Sequence, residues 1–110
     1  MAIKDLRKVK KHLFICNSGS CTQNGAAETT WIIREEIKTC GLDDVVHTTK
    51  TMCNGRCDDG TIAIVMPDNI WYKNVSPKVG KKIVYEHLKN DKPLEDFILW
   101  RFGDSEVNVD

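Results

Sequence analysis

The chain has 110 residues, a size typical of one domain, and its 41% hydrophobic and 29% charged residues are ordinary for a globular protein. Sixteen basic and sixteen acidic side chains give zero net charge, which argues against nucleic acid as a general partner because phosphate binding needs a concentrated basic surface. No apolar run approaches the roughly 20 residues that a membrane-spanning helix needs.

The two ends of the chain differ in charge from its balanced middle. We interpret residues 1–110 as a single domain with a basic leader at 1–11 and an acidic, partly apolar tail at 91–110. These ends are expected to be solvated, with docking of charged partners as the alternative. The N-terminal segment lacks the apolar stretch of a signal peptide, so a cytoplasmic, reducing location is expected. There the five cysteines are expected to be thiols or metal ligands rather than disulfides.

Strand and helix patterns alternate in the first half of the chain. The apolar run at 12–16 predicts a strand, and the following Asn-Ser-Gly-Ser, residues 17–20, predicts a loop. Apolar residues at helical spacing predict a helix over about 27–39, with Gly41 as the residue that stops it. The β-branched segment 45–49 predicts a second strand.

The second half of the chain predicts a hairpin followed by a helix. A loop over 51–60 leads into strands at 61–66 and 70–75, which a tight turn connects. Ser76 and Pro77 are a typical helix start, with serine as the N-cap and proline in the first turn. The resulting order is β-α-β-β-β-α, and a right-handed crossover makes the first two strands parallel. We therefore expect an α/β, thioredoxin-like fold with a mixed four-stranded sheet and two main helices.

Four of the five cysteines form two close pairs in or beside predicted loops. Four residues separate Cys16 from Cys21, and three separate Cys53 from Cys57. Because Cys16 ends the first strand and Cys53 follows the parallel second strand, one end of the sheet is expected to present all four thiols. Thiolates are soft ligands that iron–sulfur clusters and zinc both accept. Spacing alone favours a cluster and a structural zinc almost equally, and four buried thiols without metal are the third alternative.

Two segments resemble the thioredoxin-like [2Fe–2S] ferredoxins. The first is His-Leu-Phe-Ile-Cys-Asn-Ser-Gly-Ser-Cys at 12–21. The second, at 52–77, runs from Met-Cys-Asn-Gly-Arg-Cys through a buried strand and Trp-Tyr-Lys-Asn-Val to Ser-Pro. The same module occurs in a small subunit of respiratory complex I and in related hydrogenase and formate dehydrogenase subunits. The resemblance covers about residues 11–88, and the family often has Gly-Pro where this chain has Gly60-Thr61.

The resemblance implies a one-electron carrier with a single [2Fe–2S] cluster, and not an enzyme. The family's four ligands map onto Cys16, Cys21, Cys53 and Cys57. From the closeness of the cysteines in each loop, we expect Cys16 and Cys21 on one iron and Cys53 and Cys57 on the other. The implied partners are a redox enzyme or oxidoreductase subunits, and the resemblance favours a homodimer. Neither nucleic acid nor a membrane span is expected. The alternatives are a zinc-stabilised interaction module and a cluster-bearing sensor or assembly factor.

The remaining cysteine and the three histidines are predicted to have structural roles. Cys40 lies at the predicted end of the first helix with no partner nearby, and it is predicted to be a small buried apolar residue. His12, His47 and His87 do not fall at metal-ligand spacing and are expected to be structural or exposed. The apolar residues of 94–102 are expected to pack on their own domain or against a second copy of the chain.

Overall fold

The chain forms a five-stranded mixed sheet with two helices on one face. The computed structural model describes residues 5, 7–16, 25–52 and 61–103. The elements are β1 (Lys11–Cys16), α1 (Ala26–Thr39), β2 (Val46–Thr51), β3 (Ala63–Met66), β4 (Ile70–Tyr72), α2 (Pro77–Lys82, continuing as a π-helix over Ile83–Lys89) and β5 (Ile98–Arg101). Within these ranges no helix is long and apolar enough to cross a membrane.

The sheet has the strand order β2-β1-β3-β4-β5. β1 and β2 run parallel, as expected for strands that a helix connects, and the other three neighbouring pairs are antiparallel. Alternate side chains of the strands, among them Leu13, Ile15 and Val65, pack against both helices and form the main core. The predicted mixed α/β arrangement is therefore confirmed from β1 to α2.

The fifth strand corrects the prediction of a four-stranded sheet. Sequence patterning assigns 91–110 to a tail, whereas β5 pairs with β4 and places Trp100 opposite Trp71. Ile98 and Leu99 are buried in the sheet. The run is too short to show clear alternation, and it is the open edge of β4 that supplies its backbone partners. Most apolar residues of the tail thus pack on the chain's own sheet, although Phe102 is 75% exposed. The expected homodimer stays a prediction.

The predicted helix boundaries are confirmed. α1 ends at Thr39, and Gly41 follows with a φ of 71°, a left-handed conformation that glycine adopts without steric penalty. At the start of α2, the Oγ of Ser76 accepts a hydrogen bond from the Val79 N–H at 3.2 Å, and Pro77 occupies the first turn. Local signals in the sequence therefore determine where both helices begin or end.

The two helices approach each other closely at a glycine of α2. A Cβ atom placed on Gly80 would lie 2.7 Å from Cγ1 of Ile33 and 3.3 Å from Cγ2 of Thr29, both side chains of α1. Ile33 and Thr29 are fully buried, so neither can move away without shifting other core residues. The missing side chain at position 80 therefore sets the separation of the helices.

We expect Gly80→Ala to lower the free energy of unfolding by about 1 kcal/mol. Overpacking costs about 1–3 kcal/mol, and the better helix propensity of alanine, up to about 1 kcal/mol, offsets only part of it. Denaturant titration measures the change, with exposed Lys82→Ala on the same helix as the matched control, expected within about 0.5 kcal/mol of the unchanged protein. A Gly80→Ala protein as stable as the control would contradict the close packing.

Candidate metal centre

Cys16 is the predicted ligand that lies within the described residues. It ends β1, only 1% of its surface is exposed, and its N–H donates to the carbonyl oxygen of Ile62 at 3.0 Å. Cys21, Cys53 and Cys57 lie outside the described residues. What the structure tests is therefore whether the chain on either side of these three cysteines comes close to Cys16.

Residues close to both ends of segment 53–60 lie beside Cys16. In the parallel pairing of β1 and β2, Cys16 is opposite Thr51, the last residue of β2. Cys53 follows Thr51 by two positions in the sequence. On the other side of the segment, Ile62 accepts the hydrogen bond from the Cys16 N–H. The segment with the second cysteine pair is thus attached to the sheet at the end of the strands where Cys16 lies.

Residues close to both ends of segment 17–24 also lie at this end of the sheet. Cys16 precedes the segment, and Ala26, the first residue of α1, lies two positions after its end. Both belong to one buried apolar cluster, which also contains Ile62, Ile64 and Leu99. The described residues thus bring the flanks of both cysteine pairs together, while the convergence of the four sulfur atoms stays a prediction.

The surroundings of Cys16 suit a sulfur-ligated metal group. The side chains of Phe14, Met66 and Trp71 pack against the apolar cluster that contains Cys16, and such a wall keeps water from a cysteine ligand. The hydroxyl oxygen of Thr61 is buried and has no hydrogen-bond partner among the described residues. An apolar wall with one unused donor fits a group that offers sulfur acceptors, so the residues present are compatible with an iron–sulfur cluster.

Cys40 lies far from the end of the sheet where Cys16 is found. α1 has 14 residues, which at 1.5 Å per residue separates its two ends by roughly 20 Å. Cys40 is half-buried, and its Sγ donates to Oε1 of Glu36 at 3.5 Å, so it has a partner that the sequence did not predict. Burial, and then the hydrogen bond and charge of Glu36, raise the pKa of the Cys40 thiol. Because metals bind the thiolate, this environment disfavours a ligand role.

A second group of titratable side chains surrounds His87, at the opposite end of β1 from Cys16. Ligand atoms of Asp68, His87 and Asp91 lie within 4.8 Å of one another, an arrangement that could hold a cation. The Nζ of Lys11, however, lies 2.6 Å from Oδ1 of Asp68 and 3.7 Å from Oδ1 of Asp91. The lysine ammonium already provides the positive charge, so we interpret this group as an ion-pair network.

His87 connects this network to the core. Its Nε2 lies 2.6 Å from Oδ2 of Asp68, and its Nδ1 lies 2.8 Å from the hydroxyl of Tyr72. The Tyr72 oxygen accepts from the N–H of Leu94 at 3.1 Å, which leaves its own O–H to donate to Nδ1. This arrangement assigns the histidine proton to Nε2, where it donates to Asp68. The predicted structural role of His87 agrees with these contacts.

The surroundings of Asp68 and Tyr72 shift the pKa of both side chains. Burial alone would raise the pKa of Asp68, but hydrogen bonds from Lys11 and His87, with the positive charge of Lys11, outweigh burial and lower that pKa. Burial raises the pKa of Tyr72 to about 12. The sequence showed His87 only as the polar member of an apolar helix stripe, because its partners are distant in the chain.

Known proteins resemble this chain in both sequence and fold. A candidate 2Fe-2S ferredoxin of Priestia megaterium is 43% identical over 98 residues, covering 89% of this chain and 76% of that protein. A 2Fe-2S ferredoxin of Aquifex aeolicus is 34% identical over 98 residues, covering 81% of this chain and 88% of that protein. No protein-family model matches the chain.

A solved structure confirms the fold expected from the sequence. The thioredoxin-like [2Fe-2S] ferredoxin from Aquifex aeolicus superimposes with a TM-score of 0.81 at 31% identity, covering 87% of this chain and 96% of that chain. The sequence relatives and the structural neighbour thus agree with each other and with the elements described above. This chain belongs to the thioredoxin-like [2Fe–2S] ferredoxin family.

Proposed function

We propose that this chain carries single electrons on one [2Fe–2S] cluster that Cys16, Cys21, Cys53 and Cys57 ligate. The observation that supports the proposal most is the parallel pairing of Cys16 with Thr51, two residues before Cys53. Membership of the ferredoxin family supports the same function. A bound [2Fe–2S] group supplies reversible one-electron reduction.

The protein's own residues hold this centre in a fixed and dry position. The β1 ladder and the hydrogen bond from the Cys16 N–H to Ile62 fix the backbone of the first ligand. Ile62, Ile64 and Leu99 are buried around Cys16 and exclude water from it. Rigid, apolar surroundings limit the rearrangement that accompanies a change of charge, which favours fast electron exchange.

The electron partner in this proposal is a redox enzyme or an oxidoreductase subunit. It docks at the end of the sheet where Cys16 lies. Met52, which directly precedes Cys53, is 81% exposed. Its flexible apolar side chain offers a partner a contact surface next to a proposed ligand. Residues 1–110 act as one domain in this proposal, with no catalytic residue of their own.

Metal and sulfide content tests the proposal directly. Protein purified without oxygen is expected to be reddish-brown and to contain about two irons and two labile sulfides per chain. Reduction by one electron per chain is expected to produce the paramagnetic signal of a mixed-valence iron pair. Zinc is d¹⁰ and gives neither the colour nor the signal. Colourless protein with one zinc and no sulfide would contradict the proposed electron carrier and support a zinc-stabilised interaction module.

A further inference from the structure

Thr61 has a buried hydroxyl group that the described fold does not use. The residue is 2% exposed, and its Oγ1 has no hydrogen-bond partner among the described residues. Its backbone, in contrast, is held firmly, because the Thr61 carbonyl oxygen accepts from the N–H of Val75 at 3.0 Å. The hydroxyl is therefore kept in place without a visible acceptor.

The position of Thr61 relates this hydroxyl to the proposed cluster. The next residue, Ile62, accepts the hydrogen bond from the N–H of Cys16, so Thr61 lies one residue from the contact that fixes the first ligand. In the sequence Thr61 follows Cys57 by four positions. Thr61 thus lies close in sequence to one proposed ligand, Cys57, and close in the fold to another, Cys16, at the end of the sheet where both cysteine pairs attach.

A buried hydroxyl without an acceptor is rare in native proteins, since the missing hydrogen bond destabilises the fold. Ile62, which follows Thr61 directly, belongs to the buried apolar cluster that also contains Cys16. The sulfur atoms of an iron–sulfur centre carry negative charge and accept hydrogen bonds, which tune its potential. We infer that Oγ1 of Thr61 donates a hydrogen bond to a sulfur atom of the [2Fe–2S] centre, an inference that rests on the proposed function.

This hydrogen bond gives Thr61 a positioning and tuning role without making it a ligand. Reduction adds one negative charge to the iron–sulfur group, so a donor to sulfur stabilises the reduced state more than the oxidised state. Thr61 therefore raises the reduction potential.

The test compares Thr61→Val, which keeps the branched shape but lacks the hydroxyl, with Thr61→Ser, which keeps the hydroxyl. In the iron-loaded proteins, Thr61→Val is expected to lower the equilibrium constant of one-electron reduction about tenfold, a shift of about 59 mV to more negative potential. Thr61→Ser is expected to stay near the unchanged protein. Spectroscopically monitored redox titration of the three proteins measures the difference.

A vibrational measurement separates this role from a purely structural one. Exchange into D₂O is expected to shift an iron–sulfur stretching band in the unchanged protein and in Thr61→Ser, and to shift it less in Thr61→Val. If Thr61→Val loads poorly, Thr61→Ala, which adds no bulk, takes its place with the same expectations. Cluster-loaded Val or Ala protein with an unchanged potential and an unchanged isotope shift overturns the inference. Absence of iron and sulfide from the unchanged protein overturns the proposed function instead.

Discussion

Cys16→Ala is expected to abolish iron binding. Each iron of the proposed cluster needs two protein thiolates, and this change leaves one iron with a single one. No substitute thiol is close, since Cys40, the other cysteine among the described residues, lies at the far end of α1. We expect iron per chain to fall from about two to near zero and the visible absorbance to disappear, while far-ultraviolet circular dichroism still reports a folded α/β protein.

The same loss is expected for Cys21→Ala, Cys53→Ala and Cys57→Ala, and Cys40→Ala is the matched control. Cys40 packs against the core only in part, so its replacement removes a small apolar group and one weak hydrogen bond to Glu36. That change is expected to cost about 1 kcal/mol of stability and to leave iron content unaltered. Loss of iron in Cys40→Ala together with retention in one of the other four variants would refute the ligand assignment.

Alanine is the better probe in this series because a serine oxygen can take the place of a thiolate on iron. The four ligand variants are also expected to unfold at lower denaturant concentration than the loaded protein. A group that binds only the folded state stabilises it, and the variants lose this contribution. Iron content and unfolding midpoint should therefore fall together in the four variants, whereas Cys40→Ala should keep its iron and lose only about 1 kcal/mol of stability.

Much of the fold could be predicted because local signals in the sequence coincide with the tertiary structure. Gly41 ends α1 through its left-handed backbone, and Ser76 caps α2 with its own side chain, so both boundaries depend on residues within a few positions. The position of Cys16 beside the end of β2 could be predicted from one topological rule, that strands joined by a helix run parallel. The choice of iron over zinc, in contrast, came from the family resemblance and not from spacing.

The features that could not be predicted depend on contacts between distant parts of the chain. β5 forms because β4 offers an open edge, and its own sequence carries too little alternation to indicate a strand. The network of Asp68 and His87 joins a turn to a helix, and Lys11 comes from the first strand. No short motif relates these residues, because the sheet alone brings them together.

Tyr72→Phe is expected to lower the free energy of unfolding by about 2–4 kcal/mol near neutral pH. The Tyr72 hydroxyl is buried and bonds both Nδ1 of His87 and the N–H of Leu94. Phenylalanine fills the same space but leaves the buried Nδ1 of His87 and the part-buried N–H of Leu94 without partners. An unpaired buried group costs about 1–3 kcal/mol. Tyr85→Phe is the matched control, because Tyr85 is 48% exposed and little change is expected there.

The difference in the free energy of unfolding between the unchanged protein and Tyr72→Phe should become smaller at alkaline pH. Burial raises the pKa of Tyr72 from 10.0 to about 12, so the folded state favours the protonated phenol. That stabilisation is fully present below pH 10 and is lost as the pH rises through 12, a contribution of about 2–3 kcal/mol. The unfolding free energy of the unchanged protein and of Tyr85→Phe should therefore fall more steeply over this range than that of Tyr72→Phe. Parallel pH profiles for Tyr72→Phe and the unchanged protein would show that the Tyr72 hydroxyl is not protected by the fold.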